Sequence, residues 1–202
     1  MNFSYQKNNN NNLFDIIQKD TILNLEHIQN YIPLYNKFFL LNENNYNKIN
    51  LLNKNNLNSI ISKKNYNIYN GNIIDNSNNI KNTDMFIKIL PLLDPSKYIA
   101  NLYDISNVHL MDLPNLSNSE CHEKIQDPFN SAYVDSFFTY LSSTELHNSN
   151  FKHGIDFYGS FLAKKNKVEY NILEDIDMLT ETNAFYENIN KTFSFLDSSN
   201  NN

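Results

Sequence analysis

Of the chain's 41 asparagines, 26 fall in residues 1–83, and this crowding constrains the fold more than any other feature of the sequence. An asparagine amide competes locally for backbone hydrogen bonds and weakens helices. Asn-rich sequence is therefore read as irregular or weakly helical unless apolar residues recur with a period. The run Asn8 to Asn12 is expected to be disordered. In LFDIIQKDTILNLEHIQNYI, by contrast, Leu13, Ile16, Ile17, Ile22, Leu25, Ile28 and Ile32 recur near helical spacing. Asp20 and Thr21 offer a start for the second part of that stretch, and Pro33 a stop. LYNKFFLL (34–41) fits helix or strand. Residues 42–83, with scattered Ile, Leu and Tyr, are expected to be irregular or weakly helical. Asn-rich tracts can self-associate. Codon usage is the more economical cause, because Asn, Lys, Ile, Tyr and Phe share A/T-rich codons and the chain has neither Arg nor Trp.

The second part of the chain reads differently. Residues 1–83 carry a local charge of +3 and residues 84–202 one of −9, within a formal total of −6. DMFIKILPLL (84–93) reads as a strand that Pro91 stops. Asp94 and Pro95 supply a cap and a first-turn proline for a helix over 95–103. A loop follows to residue 129. Asn130 or Ser131 caps the strongest helix, 131–146, with Val134, Phe137, Phe138 and Leu141 as its buried stripe. GIDFYGSFLA (154–163) reads as a strand, Lys164 to Lys167 as a polar turn, and KVEYNIL (167–173) as a second, half-buried strand. One or two short helices complete the chain before a frayed SSNNN tail. No internal repeat is found.

The expected fold class is α+β, a small antiparallel sheet packed on a helix, preceded by an Asn-rich, mainly helical or irregular N-terminal region. The expected organisation is that region over 1–83, a small α+β domain over 84–198, and a disordered tail over 199–202. The expected buried face comprises Phe86, Ile89, Val134, Phe137, Phe138, Leu141, Phe157, Phe161 and Tyr170. On that reading a polar residue at Phe138 costs on the order of 3 kcal/mol.

Several classes are set aside. No run of about 18 apolar residues is present, so no transmembrane helix is expected. MNFSYQKNNNNN lacks the apolar core of a signal peptide. The single cysteine, Cys121, forms no internal disulfide. An intracellular, cytoplasmic protein is the plain reading. The acidic balance and absent Arg argue against nucleic-acid binding. The Lys63-Lys64 and Lys164-Lys165-Lys167 clusters read as solvated turns.

Chemistry-bearing constellations are few. Cys121, His122 and Glu123 are adjacent, with His109 the nearest further ligand type. Neighbouring side chains diverge, whereas zinc sites use spaced pairs, so no metal site is expected. Ser160, His153 and Asp156 share a short segment but no G-x-S-x-G elbow, and a triad is defined by spatial roles. Glu174, Asp175 and Asp177 fit a helix start favoured by the dipole. No catalytic residue is assigned.

The order of elements over 84–173 carries more information. Lys88 sits in the pattern F-I-K-I, a helix follows at 131–146, and two strands joined by a Lys-rich turn come next. This order resembles the small lobe of protein kinases: lysine strand, C-helix, strands four and five. HGIDFYGSFLAKKNKVEYNI resembles the passage before the kinase hinge. FIKILPLLDPSKY, NSAYVDSFFTYLSS, HGIDFYGSFL and EDIDML resemble uncharacterised kinase-like proteins of large DNA viruses, over about 110 residues. The resemblance implies that Lys88 matches the lysine that holds ATP phosphates. Its helix partner would be Asp135, one methylene shorter than the family's Glu, with Glu145 further along. No glycine-rich loop precedes Lys88, and neither H-R-D nor D-F-G occurs. The chain as it stands is therefore not a complete kinase. It reads as a degenerate small lobe, or the front of a longer protein, in host cytoplasm or virion if viral. ATP is a cofactor only if the resemblance holds and the chain is incomplete. The leading function is a non-catalytic module with an unidentified protein partner. The alternatives are an interaction protein unrelated to kinases and a nucleotide-binding enzyme whose catalytic lobe lies outside this chain.

Overall fold

Alternation at period two, hidden among the asparagines, builds the largest sheet. The computed structural model describes residues 5–7, 10–19, 21–117 and 120–196. Asn8, Asn9, Asp20 and the 199–202 tail lie outside the described residues. Strands β4 (Asn55–Lys63), β5 (Ile68–Asp75) and β6 (Ile80–Phe86) form an antiparallel sheet in that order, preceded by the short β1 (Tyr5–Lys7), β2 (Leu25–Gln29) and β3 (Ile49–Leu51). In β5 the buried Tyr69, Gly71 and Ile73 alternate with Asn70 and Asn72. The amides bond one another across the strands: Asn70 Nδ2 donates to Asn82 Oδ1 at 3.0 Å, Asn82 Nδ2 to Asn72 Oδ1 at 3.2 Å, and Asn72 Nδ2 to Ser59 Oγ at 3.1 Å. Residues 49–51, 55–63 and 68–83 of the stretch read as irregular or weakly helical are thus strand or connect strands. Asparagine loses its helix-weakening competition to a cross-strand ladder.

Helix α1 (Asn11–Lys19) forms as the apolar spacing suggests, with Phe14 and Ile17 turned inward and Asn11 and Asn12 opening it. The second half of that spacing does not continue the helix. A turn at 21–23 leads through Asn24, at φ 52°, into β2, which pairs antiparallel with β7 (Leu162–Lys165). A bulge between Glu26 and Gln29, with His27 at φ 52°, breaks the register. Residues 33–37 form a 3-10 turn after Pro33, and β1 pairs with β3.

The strand read over 84–93 ends at Phe86, so Lys88 lies beyond it. Asp94 caps α2 (Pro95–Ile99) by accepting from Ser96 N at 3.0 Å. After the short α3 (Glu123–Gln126), Asn130 caps α4 (Ser131–Ser149), accepting from Ala132 N at 3.1 Å. Only the end of the 154–163 segment is strand, as β7; Leu57 N–H donates to Tyr158 O at 2.8 Å but no ladder forms there. Residues 167–173 form no strand, and α5 (Ile176–Thr180) and α6 (Asn183–Asn188) follow.

The fold is mixed α and β with small antiparallel sheets. One core gathers Ile32, Leu34, Ile49 and Leu51 with Tyr133, Phe137, Tyr140 and Phe157. A second joins Ile17, Leu23 and Leu25 to Ile60, Tyr69, Ile73 and Met85. The composition change at residue 83 falls inside β6. Helix α4 buries Tyr133, Phe137 and Tyr140, and leaves Val134 and Phe138 outside at 44% and 70% exposure. Two apolar stripes at helical spacing run along this helix, and the structure buries the one that carries Tyr133, Phe137 and Tyr140. Phe86, Ile89 and Tyr170 are likewise exposed, while Phe161 and Leu141 are half-buried at the core margins. Five of the seven non-glycine residues with positive φ among those described are asparagines: Asn24, Asn78, Asn101, Asn150 and Asn190.

Candidate functional site

Lys88 and Asp135 meet. The end of β6 delivers Lys88 beside the second turn of α4, and its Nζ donates to both Asp135 oxygens at 2.9 and 3.0 Å. Both side chains stay about half open to water, at 51% and 43% exposure. An open pair of this kind contributes little to stability, about 0–1 kcal/mol, so its consequence is geometric. It ties the segment carrying Phe86, Ile89 and Leu90 to the helix face carrying Val134 and Phe138, and all five apolar side chains are exposed. Just before α4, Phe129 is exposed beneath Lys37 Nζ, 5.5 Å from its ring centroid. Glu145 takes no part in the pair; it accepts from Ser149 Oγ at 2.8 Å.

A second constellation lies at the β2 bulge. His27, Gln29, Asn47, His109, Asp112, Glu120 and Lys164 line an open cleft of about 620 Å³. His109 Nδ1 is 2.7 Å from Asp112 Oδ2, and its Nε2 is 2.9 Å from Glu120 Oε2. Lys164 Nζ donates to Asp112 Oδ1 at 2.8 Å. With a carboxylate at each ring nitrogen, the geometry is met in full by the imidazolium. The hydrogen bond to Asp112 raises the His109 pKa above its usual value; burial partly opposes this and the Glu120 charge adds to it. Hydrogen bonds from Lys164 and then His109 lower the Asp112 pKa. Spacing alone does not single out this cluster, because its members come from residues 27 to 164 and converge only through the pairing of β2 with β7 and the 107–112 turns.

The signs give a pH prediction. A raised histidine pKa stabilises the fold below the unfolded value of about 6.5, and that contribution is lost as pH rises through the higher folded value. A lowered aspartate pKa stabilises above about 3.9 and is lost as pH falls through the lower folded value. An NMR titration is expected to give His109 a midpoint above 6.5, which Asp112→Asn moves down. A midpoint at or below the free-histidine value refutes the bridge.

The other sequence candidates do not converge. His122 Nδ1 accepts from Lys124 N at 3.1 Å and Cys121 is buried. Among the described residues no group of three or more His, Cys, Asp or Glu is placed to hold a metal ion. Asp156 bonds His147 Nε2 at 2.8 Å rather than His153, which packs on Phe151. Ser160 Oγ is enclosed, where a side-chain hydrogen bond with Tyr35 opposes the rise that burial gives the Tyr35 pKa. Asp175 accepts from Ser96 Oγ and from Tyr170 OH at 3.1 Å, tying the C-terminal helices to α2.

No protein-family model, no curated protein sequence and no solved structure matches the chain. No helix among the described residues is long and apolar enough to cross a membrane.

Proposed function

We propose that the chain is a non-catalytic protein-interaction module of kinase-like, small-lobe type, in which Lys88, just past the strand, and the helix carboxylate Asp135 serve as a structural tie. The observation that carries this reading is the bidentate Lys88–Asp135 pair, with exposed Phe86, Ile89, Val134 and Phe138 around it. Large apolar side chains gathered in the open are the ordinary mark of a protein-contact surface. The likeness to kinase-like proteins of large DNA viruses supports the same reading. Two features weigh against a nucleotide. The β4–β5 connection, Lys64 to Asn67, contains no glycine with which to wrap phosphates. Gly71 lies inside β5, where it faces Ile60 and Thr83 in the ladder.

Two measurements test the proposal. Thermal melts of the full chain with magnesium and ATP are expected to show no shift. A saturable rise in Tm that Lys88→Ala removes shows a nucleotide site at Lys88 and overturns the reading of the pair as a structural tie. A photo-crosslinking phenylalanine analogue at position 138, in the cells that make the protein, is expected to yield a discrete heavier adduct that Val134→Asp abolishes. Its absence, with the same probe at Tyr186 equally silent, counts against a partner at this face.

A further inference from the structure

We propose that β6 is a self-pairing edge: two copies of this chain join along Ile80–Phe86 across a two-fold axis at Thr83, making one six-stranded antiparallel sheet. This does not rest on the reading above, although Phe86, at the end of the strand, belongs to both surfaces. Strand β6 is the outermost of the order β4-β5-β6. Its ladder with β5 is bracketed by Asp75 N–H to Asn79 O at 3.1 Å and Ile87 N–H to Asn67 O at 3.0 Å. Facing residues of an antiparallel pair alternate between bonded and non-bonded. Asn79, Lys81, Thr83, Met85 and Ile87 therefore direct their backbone groups at β5. Ile80, Asn82, Asp84 and Phe86 direct theirs outward. Among the described residues, the outward groups take one hydrogen bond, from the strand's own Thr83 Oγ1 to Asp84 O at 3.3 Å.

Edge strands are normally blunted by proline, a bulge, a covering segment or several charges. The register of β6 runs unshifted over its seven residues, and it has no proline and a single lysine, Lys81. The far edge differs, because Leu57 of β4 already donates to Tyr158 O.

The sequence of β6 selects a second copy of itself and a single register. A two-fold axis relating antiparallel strands stands normal to the sheet, so it sets residues of the same face opposite one another. The outward-bonding residues are the even-numbered ones, and they share the solvent face. Centring the axis on Asn82 sets the Ile80 side chain against the Asp84 carboxylate. Centring it on Asp84 sets two carboxylates face to face, which is repulsive. Centring it on Thr83 pairs the whole strand, with Ile80 opposite Phe86 and Asn82 opposite Asp84. Ile80 and Phe86 are 60% and 62% exposed in the single chain, and this register covers both. It also extends an existing ladder, in which Asn70 Nδ2 already donates to Asp84 Oδ1 at 3.0 Å beside the Asn82 amide.

Sedimentation equilibrium of the full chain from about 10 μM to about 1 mM spans the range where so small an interface associates. A reversible monomer–dimer equilibrium is expected. Asn82→Asp, which sets like charges opposite at two places, is expected to weaken it about tenfold, and Asn82→Lys to tighten it severalfold. Position 82 is exposed, and the opposite signs separate pairing from any loss of folding. Thr83→Cys places two thiols across the axis in a non-bonded pair, where facing Cα atoms are about 4.5 Å apart and a disulfide fits. Under mild oxidation it is expected to give a covalent dimer, whereas Lys81→Cys, which faces Met85, gives none. The buried Cys121 does not compete. A chain that stays monomeric throughout, a dimer indifferent to both Asn82 variants, or equal cross-linking at 81 and 83 each overturns the proposal.

Discussion

Replacing Tyr140 with alanine is expected to remove about 3–5 kcal/mol of stability, whereas Phe138→Ser, two positions away, stays within about 0.5 kcal/mol of the parent. Tyr140 is 1% exposed, with its ring 5.8 Å from both Phe137 and Phe157, so it joins α4 to the 154–160 segment. Truncation leaves a cavity whose walls belong to separate elements and cannot close over it. Phe138 is 70% exposed and already pays no burial to lose. Urea unfolding followed by circular dichroism measures both. The loss at Tyr140 is comparable with the whole stability of a modest domain, so that variant is expected to be partly unfolded at physiological temperature. Equal losses at the two positions contradict this orientation of α4, and a reversed ranking means that it is turned the other way.

A β-carbon at Gly71 is expected to open the three-stranded sheet. It would stand 2.3 Å from Ser59 O, 2.9 Å from Met85 Cε and 3.3 Å from Ile60 Cα. The methionine tip can swing aside, but Ser59 O and Ile60 Cα are backbone of the neighbouring strand and cannot move without spoiling the ladder. Overpacking of this kind costs about 1–3 kcal/mol for Gly71→Ala, with Gly71→Val at or above the upper end. Amide exchange locates the effect: protection should fall first in β4 and β5 while α4 keeps its own. A Gly71→Ala protein that melts with the parent contradicts the close approach.

The sequence was most legible where local chemistry decides structure. Asp94-Pro95 and Asn130 are caps, and α1, α2, α4 and the two C-terminal helices lie where apolar spacing and capping suggest. It was least legible where partners come from far along the chain. Leu25 and Ile28 fit a helical period, yet they form a strand because Leu162 to Lys165, over 130 residues later, supplies its pair. The 68–83 stretch looks polar because its solvent face is asparagine, and only the cross-strand amide bonds make that face acceptable in a sheet. On α4 apolar spacing favours Val134 and Phe138, whereas the buried face carries the tyrosines at 133 and 140. Tyr133 goes inside because its hydroxyl donates to Ile125 O at 2.7 Å. The Lys88–Asp135 pairing is an expectation of the kinase-like resemblance read from the order of elements, and no spacing rule points to it. The His109 cleft had no signal in the sequence beyond the residue types themselves.

The left-handed asparagines bear on the unfolded chain as much as on the folded one. Turns that reverse through positive φ usually draw on glycine, and this chain has three glycines in all. Asparagine tolerates the left-handed region better than other residues with a β-carbon, and five positions use it so. With its side chain it samples fewer backbone states than glycine does when the chain is unfolded. Each such turn therefore surrenders less conformational entropy on folding, by about 0.4–1 kcal/mol where the native angles are met without strain. A composition biased towards asparagine thus narrows the denatured ensemble at the points where the native backbone turns.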